Sequence, residues 1–228
     1  MQVFSPASLL RWISVYGLAL VLGIEAGCTS TGYQRGDVAA VSMQRAASEV
    51  QTQERAMDQT MAALRDLVNQ PQGDLRIAFK RYSKALDRLI ASTERTETTG
   101  KTMEAKNAAY VAEWDRQLQA IDFGHIHELS EARRNEVTNR MDAIERRYHD
   151  SQEAMVPLIT YLLDIRRALS IDLTTAGLES MKGVVQNAND NVAKVQMALD
   201  SLTTELTTSS ARMSSMAYQP NQPPPATQ

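Results

Sequence analysis

Cysteine is nearly absent from this chain: Cys28 is the only one among 228 residues. One thiol forms no internal disulfide, and neither a CxxC redox pair nor a zinc cluster can be built around it. Aromatic residues make up only 5% of the chain, and most of its 10 glycines and 7 prolines fall near the two ends. The interior is left to Ala, Leu, Met, Gln, Glu and Arg, the residues of long helices. Neither sign of charge dominates: a net charge of −3, with acids and bases mixed along the chain, excludes a polybasic surface and with it a nucleic-acid partner. No segment sustains the period-two alternation of a half-buried strand. There is no GxGxxG turn, phosphate loop or nucleophile elbow. His125 and His127 flank Ile126 and His149 stands far from both, too sparse a set for a metal site. The expectation is a chain with no catalytic residue, no cofactor and no metal ligand.

What is present begins with an export signal. Arg11 precedes an uncharged run from Trp12 to Ile24, which suits the apolar region of a secretory signal and is shorter than the roughly 20 residues a membrane-spanning helix needs. The run ends in Ala26, Gly27 and Cys28, small residues directly before a cysteine, and this resembles the lipobox of bacterial lipoproteins. On that reading residues 1–27 are a signal peptide recognised through Ala26 and Gly27, and Cys28 becomes the acylated first residue of the mature chain. Glu25 stands where the lipobox pattern has an aliphatic residue. The alternative is therefore cleavage after Ala26 by ordinary signal peptidase, leaving a soluble periplasmic protein. Thr29, in place of aspartate, resembles the sorting signal for the outer membrane.

Residues 28–36 read as a polar tether; from Thr29 to Asp37 the chain spans at most roughly 30 Å. Beyond it, apolar residues return at alternating steps of three and four, the pattern of helices packed in register. The spacing predicts helices over about 37–69, 74–121, 127–172 and 175–214, within a bundle domain of residues 37–216. The fourth stripe runs Leu178, Met181, Val185, Ala188, Val192, Val195, Leu199, Leu202, Leu206, and the third from Val137 through Tyr148 and Leu158 to Leu169. Asn69 to Asp74 supplies Pro and Gly between the first two helices, with Asp74 as N-cap; Asp122 to His125 separates the second from the third; Thr174 or Thr175 caps the fourth. Short connections make consecutive helices antiparallel. The predicted fold is all-α: an elongated up-and-down bundle of four long helices with coiled-coil-like packing.

Three features stand apart from that pattern. Pro157 inside the third helix removes a backbone donor and predicts a bend, either a kink that wraps the helix on its neighbours or a hinge. The stripe of the second helix passes through Thr93, Thr96 and Gly100, a polar layer that either sets register or forms a docking notch. The fourth helix carries few charges beside its stripe, so the face around Val192 and Leu199 is covered either by the chain's own bundle or by a partner. Residues 217–228, rich in Pro and Gln, read as a disordered tail.

AEWDRQLQAI, the segment from Arg147 to Met181, the heptads through SLTTEL and the GDL before the second helix together resemble an uncharacterised family of Gram-negative envelope proteins, a domain of unknown function. The resemblance covers most of the chain from about Asp37 to Met213. It implies export, often with a lipoprotein signal, and a helical fold; it supplies no activity. The function expected is that of an envelope lipoprotein acting as a non-enzymatic helical scaffold or interaction module. It would be held by Cys28 on the periplasmic side of the outer membrane and partnered by that membrane and by another envelope protein or a second copy. The alternative is a soluble periplasmic binding or chaperone-like protein.

Overall fold

The computed structural model of the chain describes residues 31–69 and 73–215. Within them lie four helices and no strand: α1 (Gly32–Asn69), α2 (Leu75–Leu118), α3 (Gly124–Ile171) and α4 (Thr175–Met213). At 1.5 Å per residue they are about 57 to 72 Å long. Neighbouring backbones run α1 to α2, α2 to α3, α3 to α4 and α4 back to α1, and the diagonal pairs make no close backbone approach. This is the predicted all-α antiparallel bundle. Cys28, Ala26, Gly27 and the tail 217–228 lie outside the described residues.

Helix boundaries follow local chemistry. The Asp74 carboxylate accepts from the Arg76 N–H (2.9 Å) and the Thr174 hydroxyl from the Gly177 N–H (3.1 Å), so the two caps expected at those positions form. Gly73, with φ 71°, takes the left-handed turn before α2 that a side chain disfavours. The start of α1 differs from the expectation. The helix begins at Gly32 rather than Asp37 because Gln34 Oε1 reaches back to accept from the Thr31 N–H (2.8 Å), one half of a capping box. Most of the stretch read as a polar tether, 28–36, is therefore first-turn helix. Only Thr29 to Thr31 separate Cys28 from α1, a reach of about 10 Å.

Packing follows the seven-residue stripes. All ten fully buried residues of α3, from Val137 to Leu169, fall on its predicted stripe. Helix α1 does more than its stripe suggests: Ala39, Ala40, Ala47, Met61 and Ala63 are buried besides Met43, Val50, Met57, Leu64 and Leu67. Small side chains let α1 approach two neighbours at once; Gly36, for example, sits directly against the Tyr110 ring. Its contact with α2 is the most extensive in the bundle, and the α2–α3 contact is the least. Pro157 is exposed, between buried Met155 and Leu158, and α3 continues unbroken through it. Val192 is half-buried against the core and Leu199 is fully inside it. The chain's own bundle thus covers Leu199 completely and Val192 in part.

The polar layer is internal. Gln53 Nε2 donates to Thr93 Oγ1 (3.0 Å), Thr96 Oγ1 donates to the Glu49 carbonyl (3.4 Å), and the Tyr148 hydroxyl donates to the Thr96 carbonyl. A Cβ added at Gly100 would overlap the Tyr148 ring. The layer is thus internal, joined by these hydrogen bonds and packed by one tyrosine, and it ties α1, α2 and α3 in one register, while Gln53 Oε1 and Ser92 Oγ are buried in it without a hydrogen-bond partner.

Candidate functional site

Topology brings the beginning of the described chain, the α2–α3 corner and the end of α4 to one end of the bundle, here called the near end. Asp37 on α1 accepts from the Ser215 N–H (2.6 Å) and from the Ser215 hydroxyl (2.5 Å), which joins the start of α1 to the end of α4. On α2, Glu113 is buried and accepts from Arg116 Nη2 (2.5 Å) and Gln117 Nε2 (2.7 Å), with Arg35 of α1 at 3.9 Å. The Arg116 hydrogen bonds, then the Gln117 bond, hold its carboxyl well below the usual range, at about 2.

The end of α2 is pinned to the start of α3 by polar contacts. Trp114 Nε1 donates to Ser130 Oγ (3.0 Å), and Arg134 spans Asp115 with two bonds of 2.8 Å each. The seven-residue register of α3 explains why these contacts are polar. Extended backwards from Val137, it falls on Arg134, Ser130 and His127 rather than on apolar residues. The apolar side chains in this stretch lie off the seam: Phe123 is 76% exposed, Ile126 54% and Leu129 61%. No residue of α3 before Val137 is fully buried. Arg147 Nη1 bonds Ser201 and Tyr161 bonds the Val184 carbonyl, and this pairing sets the end of α4 about level with the residues just before Val137. The first three turns of α3 therefore stand beyond α4. Covering any one of the three exposed side chains would contribute roughly 1.5–3 kcal/mol.

A second feature follows from the loose α2–α3 contact: a cleft of about 320 Å³ lined by Met103, Asn107, Val111, Met141 and four carboxylates. Those carboxylates are Glu104, Asp115, Asp142 and Glu145. Asp115 is neutralised by Arg134; the other three form no ion pair among the described residues. Burial, and then the charge of Glu145, push the Glu104 carboxyl up. Asp142 makes no pair with Arg146, although Glu136 bonds Arg140 (3.0 Å) as the four-residue spacing predicts. Chemically the cleft suits a cationic group with an aliphatic stem. Among the described residues no group of three or more His, Cys, Asp or Glu could hold a metal ion, and no helix is long and apolar enough to cross a membrane.

Of the site candidates singled out in the sequence and lying within the described residues, His125 and His127 belong to this end, and they sit on the corner. Pro157, Val192 and Leu199 lie elsewhere in the bundle. The corner's apolar triplet was legible in principle, because Ile126 and Leu129 are out of step with the stripe that Val137 begins.

No curated protein and no solved structure matches the chain. A family profile does, over residues 26–215, which takes in Cys28 and the whole bundle. The chain belongs to the family described as Protein of unknown function (DUF2959).

Proposed function

We propose that this protein is an exported envelope lipoprotein that serves as a non-enzymatic helical scaffold, held by acylated Cys28 on the periplasmic side of the outer membrane. One observation carries the reading. Helix α1 starts at Gly32, so a lipid on Cys28 would lie within about 10 Å of one end of a bundle whose other end is some 60 Å away. A rod held at one end places its far surface at a fixed distance from the membrane. The interior supports a structural role: the buried apolar side chains of all four helices form one continuous core. Several acyl chains on one residue give long-lived attachment, at roughly 0.8 kcal/mol per buried CH₂.

Mass spectrometry of the mature N-terminus, taken from washed membranes, tests this directly. An acylated Cys28 is the expected result. A mature chain beginning at Gly27 and released by osmotic shock would replace the scaffold with the second reading, a soluble periplasmic binding or chaperone-like protein. That reading is favoured by the acidic α2–α3 cleft, where a client would be held by side chains rather than in the internal polar layer.

A further inference from the structure

We infer that the α2–α3 corner is a lipid-contacting foot: Phe123, Ile126 and Leu129 enter the headgroup boundary of the bilayer and set the bundle on end. The inference rests on the anchored reading and says what that reading leaves open, namely which surface meets the lipid and how the rod is oriented. Three observations converge. The three side chains are the largest apolar group left exposed within so short a stretch, and none of them packs against the core. They occupy the same end as Thr31, three residues after Cys28, so a lipid at Cys28 brings the bilayer within about 10 Å of where α1 begins. The corner is also held in shape by the Trp114–Ser130 bond and by Arg134 on Asp115. Membrane contact therefore needs no rearrangement of the bundle.

The charges around the corner say what kind of surface it meets. Asp122, Glu128 and Glu131 stand beside His125, His127 and Arg133, which gives no excess of cations to attract anionic headgroups. Burial of apolar side chains is the driving force, and zwitterionic lipid suffices. With residues 1–27 removed, as the anchored reading requires, the occupant that the chain itself offers is the segment after Ser215. It offers only Met216 and Tyr218 as large apolar side chains, too little to cover three.

The test uses the full mature protein, acylated and reconstituted on phosphatidylcholine–phosphatidylethanolamine vesicles, with one tryptophan reporter at each end. Phe123→Trp reports the corner, and Ile171→Trp reports the opposite end, where the native side chain is 83% exposed. Emission above the Trp114 background is compared with and without brominated acyl chains. Loss of emission from position 123 and none from position 171 is expected. In unacylated Cys28→Ser protein, Phe123→Ser with Leu129→Ser should weaken vesicle partition at least about tenfold, while Ile171→Ser changes nothing. Equal quenching at both positions would overturn the inference, because the bundle would then lie along the surface. No quenching at 123 in protein whose acylation is confirmed by mass would also overturn it and leave the anchored reading standing. A position-123 emission that ignores brominated lipid and shifts on deletion of residues 217–228 would assign the corner to the tail instead. An unacylated Cys28 in cells would remove the anchored reading, and this inference with it.

Discussion

The two ends of the bundle use the same kinds of side chain in opposite ways. At the far end α3 turns Met155, Leu158, Leu162, Ile165 and Leu169 inward, in one core with Leu64, Leu67, Tyr82 and Leu86. Near its own start it turns Phe123, Ile126 and Leu129 outward and puts Ser130 and Arg134 on the seam. Along α3 itself, the far part is seated mainly by burial, with Tyr82 donating to the Leu162 carbonyl and Arg166 paired with Asp87, whereas the first turns are seated by hydrogen bonds and an ion pair alone. On the inference that the corner meets lipid, stability and surface recognition are separated along a single helix. Mutations at the far end should act on folding, and mutations at the corner should act on association alone.

That separation can be broken most forcefully at the far end. Leu86→Ala removes a fully buried side chain and should cost about 2–5 kcal/mol in urea denaturation followed by circular dichroism. A loss below 1 kcal/mol would mean that the far end does not hold the fold. Between the ends, Gly100→Val drives a side chain into the Tyr148 ring and should cost about 1–3 kcal/mol, the usual range for an overpacked core. In a double-mutant cycle Gly100→Val should cost as much in a Tyr148→Phe background, which keeps the ring, and clearly less in a Tyr148→Ala background, where the clash is gone although that variant is itself less stable.

At the near end the expected effects are smaller and depend on pH. Glu113 has its folded pKa lowered from 4.5 to about 2, chiefly by Arg116. A depressed carboxyl stabilises the folded state above its unfolded pKa, and that contribution fades as pH falls from about 4.5 through 2. Glu113→Gln should therefore be less stable than the natural chain at pH 6 and converge with it towards pH 2 in parallel melts. A constant gap across that range would show that Glu113 acts by packing rather than by charge. Smallest of all, Phe123→Ser should leave stability within about 0.5 kcal/mol, as for any exposed position. A larger loss would mean that the corner is covered by the protein itself.

Most of the fold was legible because α3 and α4 obey a seven-residue repeat almost without exception, and because Asp74 and Thr174 cap where their side chains can reach a free N–H. The start of α1 was not: TSTGYQRGD looks like a polar linker until Gln34 is seen to satisfy the Thr31 N–H. The second buried face of α1 was hidden because alanines carry little signal in a periodic pattern. Gly100 could be seen as a break in the stripe of α2, but only the approach of Tyr148, 48 residues later, explains it. The apolar corner was the hardest to read. Phe123, Ile126 and Leu129 count as hydrophobic in any tally, and their role depends on α4 ending before it reaches them.

The direct test of the account is the thickness of the protein layer that the acylated chain forms on a supported phosphatidylcholine bilayer, measured by neutron reflectometry. A bundle standing on its α2–α3 corner gives a layer of roughly 60–70 Å, set by helices of 1.5 Å rise per residue. A layer of about 20–25 Å, the width of two helices side by side, would place the rod flat on the membrane and contradict the account.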